Sequence, residues 1–127
     1  MSSATEQLKQ VLKSYFDGLY WGDVRRLNNV FHAKAQYACA TNGELTHMGM
    51  KQYFSLIATR VSPAAANHQR TDKIISLDFA GNHTAFAKVQ CSIQTKAFID
   101  YLSLIFINNQ WQIIAKVFHY DLISNQE

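Results

Sequence analysis

The C-terminal part of the chain contains two long apolar runs separated by two asparagines, and this pattern constrains the fold more than any other. The runs cover residues 98–107 and 110–120 and are rich in β-branched and aromatic residues. Asparagine tolerates the positive φ that a two-residue hairpin turn requires. The pattern therefore predicts a long β-hairpin that turns at Asn108 and Asn109.

Regular pairing across this turn predicts which side chains share a face. It sets Asp100 opposite Val117 and Phe98 opposite His119, on a face whose other residues are almost all apolar. We expect that face to point into the core, where a carboxylate is costly unless it is paired. Asp100 and His119 would be diagonal neighbours there, which makes them a candidate acid/base pair. A buried structural hydrogen bond, or a position in water at the rim of the sheet, would explain them equally well.

The remainder of the chain predicts three helices and further antiparallel strands. Apolar residues spaced three and four apart predict helices over residues 4–20 and 50–60, and Asp23 is a suitable N-cap for a short helix between them. Asn42 and Gly43 predict a hairpin turn. Alternating patterns predict strands at about residues 35–41, 45–48, 69–79 and 83–94. This order indicates one α+β domain over residues 1–127, in which a bent sheet wraps the helices.

Composition and charge exclude several classes of protein. Apolar residues make up 48% of the chain and charged residues 17%, which is typical of a folded domain. The net charge of +3 is spread without a basic run, so nucleic-acid binding is not expected. No apolar leader or membrane-length stretch occurs, so we expect a cytoplasmic protein. The cysteines and histidines lack metal-ligand spacing, and we expect neither a metal nor a cofactor.

Two segments and the order of elements between them resemble the nuclear transport factor 2-like superfamily. The segments are YFDGLYWGDVRRLNNVFH, residues 15–32, and FIDYLSLIFINNQWQIIAKVFH, residues 98–119. They fit best the branch named "putative lumazine-binding", which is close to the SnoaL-like and ketosteroid-isomerase-like groups. The chain departs from the usual pattern at Ala33, where proline is common, and at Asn108–Asn109, where Asp-Gly is usual.

The resemblance implies a cone-shaped α+β fold in which three helices in the N-terminal half pack on a strongly bent, mainly antiparallel sheet. It implies a pocket between the helices and the inner face of the sheet. It also implies a homodimer formed through the outer face, which would cover apolar residues that the hairpin otherwise exposes.

Candidate ligand-binding residues are those that could place a ring, a hydroxyl, an imidazole or a small apolar side chain in such a pocket. They are Tyr15, Phe16, Trp21, Phe31, His32, Tyr37, Phe54, Cys91 and Trp111. Tyr15 and Tyr37 each present a hydroxyl from an apolar stripe, and His32 is expected near the mouth of the cone. An ordinary core position is the alternative for each aromatic residue, and capping of a helix end is the alternative for His32.

Three functions are compatible with this sequence. We expect foremost a protein that binds a small, mostly apolar or aromatic molecule. The second is a cofactor-free isomerase, dehydratase or cyclase that uses Asp100 and His119 for proton transfer. The resemblance supports it weakly, because Gln36, Tyr37 and Ala38 occupy the region where isomerase-like members carry a base. The third is a dimerising interaction module without a ligand.

Overall fold

Two connected helices begin the fold in the computed structural model, which describes residues 3–123. Helix α1, Ala4–Trp21, starts where the Ser3 hydroxyl accepts the Glu6 N–H, and it ends at Gly22, whose φ of 65° is left-handed. Helix α2, Val24–Val30, has the predicted N-cap, because the Asp23 side chain accepts the Arg26 N–H. A third helix, α3, covers Met50–Thr59. The three predicted helices are therefore confirmed.

Within residues 3–123, six strands form one unclosed sheet. They are β1 (Phe31–Cys39), β2 (Thr46–Gly49), β3 (Lys73–Ala80), β4 (Thr84–Ile93), β5 (Lys96–Ile107) and β6 (Gln110–Leu122). Their order is β2-β1-β6-β5-β4-β3, and every neighbouring pair is antiparallel except β1 with β6. The inner face packs against the helices around one apolar core. This is the α+β cone that the sequence predicts.

Two predicted boundaries differ from the structure. The chain enters β1 at Phe31, directly after α2, so residues 31 and 32 belong to a strand and do not close the helix. Strand β3 begins at Lys73 and not near residue 69. The preceding segment is held to α1 by Arg70, whose guanidinium lies 2.9 Å from an Asp17 carboxylate oxygen. The segment before β3 therefore lies against α1 at the side of the cone.

The predicted β5–β6 hairpin is confirmed, and its turn has the expected chemistry. Asn108 and Asn109 have φ values of 53° and 65°, as a tight hairpin turn requires. Pairing is regular from Ile107 with Gln110 as far as Leu104 with Ile113. The next pair is Ser103 with Ala115, which leaves Ile114 as one extra residue in β6. This is a β-bulge.

The bulge reverses the facing of the second half of β6. Asp100 pairs with Phe118, and His119 pairs with Ile99. Because successive strand residues point to opposite faces, Lys116 and Phe118 turn into the core while Val117 and His119 turn outward. The register predicted from regular alternation was therefore wrong beyond Ile113.

Candidate functional site

Four polar side chains meet beneath the helices on the inner face of the sheet, and we call them the buried polar cluster. They are Tyr15 from α1, Tyr53 from α3, Asp100 from β5 and Lys116 from β6, all of them buried. The Tyr15 hydroxyl donates to Asp100 Oδ2 over 2.5 Å, and Lys116 Nζ donates to the Tyr53 hydroxyl over 3.1 Å. Lys116 Nζ lies 3.9 Å from Asp100 Oδ2. Two helices and two strands therefore each contribute one side chain to the buried polar cluster.

Aromatic rings surround the Lys116 ammonium. Its nitrogen lies between 5.1 and 5.8 Å from the ring centroids of Tyr15, Tyr37, Tyr53 and Phe118. The faces of these rings attract a cation and compensate in part for its lost hydration. Burial is the largest single effect and lowers the pKa of Lys116, but the Asp100 carboxylate together with Tyr53 and Cys91 raises it by more, so the pKa of this lysine lies above its ordinary value. Lys116 is therefore a charged ammonium at neutral pH.

The two oxygens of Asp100 are used unequally. Oδ2 accepts from Tyr15 and faces Lys116, whereas Oδ1 is buried without a hydrogen-bond partner among the described residues. Burial and the nearby negative charge of Asp100 raise the pKa of Tyr15 well above its usual range, so this tyrosine remains a donor. A buried acceptor without a donor is unfavourable. Asp100 Oδ1 could accept a hydrogen bond or a proton from a group that reached it.

A cavity opens at the end of the cone where α3 finishes, and we call it the mouth cavity. It has a volume of about 330 Å³. Its wall comes from the ends of β1, β2, β4, β5 and β6 together with the last turn of α3. The lining residues are Tyr37, Cys39, Thr46, Leu56, Arg60, Ile93, Gln94, Lys96, Phe98, Phe118 and Tyr120.

Tyr37 and Phe118 connect the mouth cavity to the buried polar cluster. Both rings line the cavity and both lie within 6 Å of the Lys116 ammonium. Their centroids are 4.8 Å apart, and Phe98 packs on Phe118 at 5.6 Å. The rings place an aromatic wall between the open cavity and the charged groups beneath it.

The predicted pair of Asp100 and His119 is not formed. Asp100 is fully buried on the inner face, while His119 lies on the outer face with 56% of its side chain exposed. The bulge at Ile114 separates them, because it reverses the facing of His119. His119 Nε2 instead lies 2.9 Å from Asp121 Oδ1. Phe118 occupies the place opposite Asp100 that regular alternation gives to Val117, and Lys116 faces inward beside it, opposite Leu102.

The structure distributes the candidate ligand-binding residues over several parts of the fold. Tyr37 lines the mouth cavity, and Tyr15 belongs to the buried polar cluster. Core positions, buried or partly buried, are occupied by Phe16, Phe31, Phe54, Cys91 and Trp111. Burial raises the pKa of the Cys91 thiol to about 12, so it remains protonated.

Two candidate residues lie away from the expected pocket. Trp21 is 62% exposed at the end of α1, where the helix leaves the core. His32 is near the start of β1, whereas the mouth cavity lies at the Cys39 end of that strand. Its Nδ1 accepts the Lys34 N–H over 3.0 Å. The expected position of His32 at the mouth was therefore wrong, because β1 runs toward the mouth and begins at the far end.

Sequence reasoning missed Lys116, Arg60, Lys96, Phe98 and Phe118 as parts of the site. Regular alternation of β6 would place Lys116 on the outer face, away from Asp100. One signal was available, since Ile113 and Ile114 are consecutive apolar residues that interrupt the alternation. Such an interruption is compatible with a bulge. Arg60 gave no signal, because its approach to the sheet depends on the tertiary position of α3.

Residues 3–123 lack the features of a metal site and of a membrane-spanning helix. This part of the chain contains no group of three or more His, Cys, Asp or Glu side chains able to hold a metal ion. None of its helices combines the length and apolar character needed to cross a membrane.

Comparison with known proteins gives a family and a fold. A family model described as "Putative lumazine-binding" matches residues 3–119. No curated protein matches the chain. Among solved structures, an NTF-2 like protein of unknown function from Silicibacter pomeroyi has a TM-score of 0.82 at 20% identity, covering 95% of this chain and all of its own.

Two further crystal structures agree with this result. An NTF2-like protein of unknown function from Shewanella baltica has a TM-score of 0.81 at 19% identity, covering 95% of this chain and 98% of its own. One from Methylobacillus flagellatus has a TM-score of 0.79 at 23% identity, covering 94% and 95%. At these identities the similarity establishes the NTF2-like fold alone.

Proposed function

The chain belongs to the family described as "Putative lumazine-binding", and from that premise we propose that it binds a small aromatic molecule in the mouth cavity. The observation that carries the proposal is the cavity itself, whose volume of about 330 Å³ is in the range of small-molecule sites. The rings of Tyr37, Phe98, Phe118 and Tyr120 supply flat apolar surface. Stacking on such rings favours a planar ligand.

Native mass spectrometry of the protein purified from its own host tests this proposal. We expect a discrete mass above that of the chain, which corresponds to a retained small molecule. Leu56→Trp should reduce that mass signal, because Leu56 lines the cavity and a larger ring would fill it. Leu45→Trp is the matched control, since Leu45 is 75% exposed and lies outside the cavity lining. Equal retention by both variants would place the ligand elsewhere.

A second candidate, cofactor-free proton transfer, is favoured by one observation. Asp100 Oδ1 is a buried acceptor without a donor among residues 3–123. A ligand in the mouth cavity would contact it when the Tyr37 and Phe118 rings that separate the two turn aside. If the retained molecule carries an acidic C–H bond, incubation in heavy water should add deuterium to it with the wild-type protein and not with Asp100→Asn. Exchange that survives this substitution would remove Asp100 from the reaction. The proposal uses Asp100 without His119, because the two lie on opposite faces.

We also propose that a second copy of the chain covers the outer face of the sheet. A groove of about 510 Å³ runs across β3 to β6 there, and Tyr101 and Val117 are half exposed beside it. Lys88 in the groove and Asp78 on β3 give this face charges of both signs, which suits a two-fold contact of the face with itself. Tyr101→Glu should shift the mass measured by light scattering toward the monomer, whereas Leu45→Glu should not.

The cytoplasm remains the proposed location. Cys39 and Cys91 are both free thiols, as is usual in a reducing compartment.

A further inference from the structure

Two cations lie at the mouth cavity without a carboxylate partner in the part of the chain that the structure describes. Arg60, which ends α3, and Lys96, which begins β5, both line the cavity and are both half-buried. None of the described residues that line the cavity is acidic. Within residues 3–123, neither Arg60 nor Lys96 takes part in an ion pair. The cavity therefore concentrates positive charge.

Two other cations in the fold, Arg70 and Lys116, do have carboxylate partners. Arg70 contacts both Asp17 and Asp72, at 2.9 and 2.8 Å. Lys116, the fully buried cation, has Asp100 beside it. Partial burial of an unpaired charge is unfavourable, because the charge loses hydration without a counter-ion. Lys88 also lacks an ion pair among the described residues, but it lies in the outer groove and not in the mouth cavity.

Aromatic surface and positive charge occur together at the mouth. Tyr120 packs on Phe98 at a centroid distance of 5.7 Å, and Lys96 Nζ lies 4.5 Å from the Tyr120 ring centroid. Tyr37 and Phe118 stand between the cavity and the Lys116 ammonium. The cavity therefore presents flat rings on which an aromatic ligand can stack. It also presents one guanidinium group, from Arg60, and one ammonium group, from Lys96, which can bind a negative charge.

We propose that the ligand of the mouth cavity is a planar aromatic anion, such as an aromatic carboxylate or an acidic heteroaromatic ring. Its ring stacks against Tyr37, Phe98, Phe118 or Tyr120, and its anionic oxygen is held by Arg60 and Lys96. Hydrogen bonds from charged donors to an anionic oxygen are the strong ones, so these two residues determine specificity. This inference rests on the proposed function of the cavity and refines it by naming the charge of the ligand.

Isothermal titration with two probes of similar shape tests the inference. The probes are 2-naphthoate, which is an anion, and 2-naphthalenemethanol, which is neutral. We expect the wild-type protein to bind 2-naphthoate at least about tenfold more tightly, because only the anion pairs with the two cations. Raising the salt concentration should weaken the binding of 2-naphthoate and leave that of the alcohol nearly unchanged.

Substitutions then identify which cations cause the preference for the anionic probe. The double substitution Arg60→Met with Lys96→Met should bring the affinity for 2-naphthoate to within about threefold of that for the alcohol. Lys51→Met is the matched control, because Lys51 is an exposed cation on α3 outside the cavity lining. It should retain the preference for the anion. Circular dichroism spectra that match the wild type establish that each variant is folded.

The outcomes separate this inference from the proposed function. Equal binding of the two probes would overturn the inference and leave an uncharged aromatic ligand as the proposed function. A preference for the anion that survives the double substitution would also overturn it, because Arg60 and Lys96 would not be its source. Failure of both probes to bind, together with no retained mass in native spectrometry, would overturn the inference and the proposed function alike.

Discussion

The two faces of the β5–β6 hairpin each place an acidic side chain beside a basic one, at very different depths. On the inner face, Asp100 and Lys116 are buried and are enclosed by tyrosines. On the outer face, His119 and Asp121 are 2.9 Å apart, and their side chains are 56% and 79% exposed. Water can solvate the outer pair when one partner is lost, but it cannot reach the inner pair. The stability of the fold therefore depends on the buried inner pair, although the two charged groups of the outer pair lie closer to each other.

Breaking the inner pair should have the largest effect. Lys116→Met should lower the free energy of unfolding by about 3–5 kcal/mol, because it leaves the Asp100 carboxylate buried without a counter-ion. Urea denaturation followed by circular dichroism measures the change. The double variant Asp100→Asn with Lys116→Met should be more stable than the single variant, since it contains no buried charge. A double variant less stable than the single one would contradict this account.

Alkaline pH should destabilise the inner face gradually. Burial raises the pKa of Cys91 to about 12, and burial with the charge of Asp100 raises that of Tyr15. A group whose pKa is higher in the folded chain stabilises it fully below the unfolded pKa, and that contribution is lost as pH rises. Stability should therefore fall between about pH 9 and pH 12, by roughly 4 kcal/mol from Cys91, with a further loss from Tyr15 in the same direction.

The measurement for this second prediction is urea denaturation repeated across that pH range. Cys91→Ala should reduce the slope of stability against pH, because it removes one of the titrating groups while Tyr15 remains. An unchanged slope in this variant would show that the thiol does not contribute.

Removing one hydroxyl from the inner face should have a moderate effect. Tyr15→Phe deletes the donor that reaches Asp100 Oδ2 over 2.5 Å, so neither oxygen of this buried carboxylate keeps a hydroxyl donor among residues 3–123. We expect a loss of about 1–3 kcal/mol in the free energy of unfolding. Tyr101→Phe on the outer face is the matched control and should change stability by less than about 0.5 kcal/mol. Similar losses of unfolding free energy in both variants would contradict the claim that burial of the hydroxyl determines the size of the effect.

Breaking the outer pair should have the smallest effect. Asp121→Asn removes the carboxylate that faces His119, and both groups can then be hydrated. The expected change in the free energy of unfolding is within about 1 kcal/mol. Thermal denaturation of this variant beside Asp100→Asn compares the same chemical substitution on the two faces. An equally large loss of stability for Asp121→Asn would contradict the claim that the buried pair matters more than the exposed pair.

Local sequence patterns were sufficient to predict most of the fold. The asparagines at 108 and 109 predicted the hairpin, Asp23 predicted the start of α2, and the alternation of β4 predicted its buried face. Each of these depends on neighbouring residues alone. The parallel contact of β1 with β6 joins distant segments, so no local pattern reports it. The resemblance to a known superfamily was what supplied the overall shape.

The candidate site was harder to predict than the fold. Asp100 was found, because a carboxylate in an apolar run is conspicuous, but its partner was missed. Regular alternation of β6 puts Lys116 on the outer face, so its contact with Asp100 could not be predicted. Its inward position follows from one extra residue in β6 and from four rings that come from different elements. The mouth cavity likewise gathers the ends of separate elements, which a sequence does not show side by side.

The bulge at Ile114 has a consequence for how this strand can change over generations. Ile114 is the one residue that a regular ladder would not contain, so its deletion would leave Ala115, Lys116 and Phe118 opposite Ser103, Leu102 and Asp100. Loss of the single codon for Ile114 would therefore keep the same side chains inside. Loss of the codon for Val117, where no bulge absorbs the change, would turn Phe118 and every later side chain of β6 to the opposite face. Descendants of this chain should therefore tolerate a one-residue deletion at the bulge more readily than elsewhere in the second half of β6.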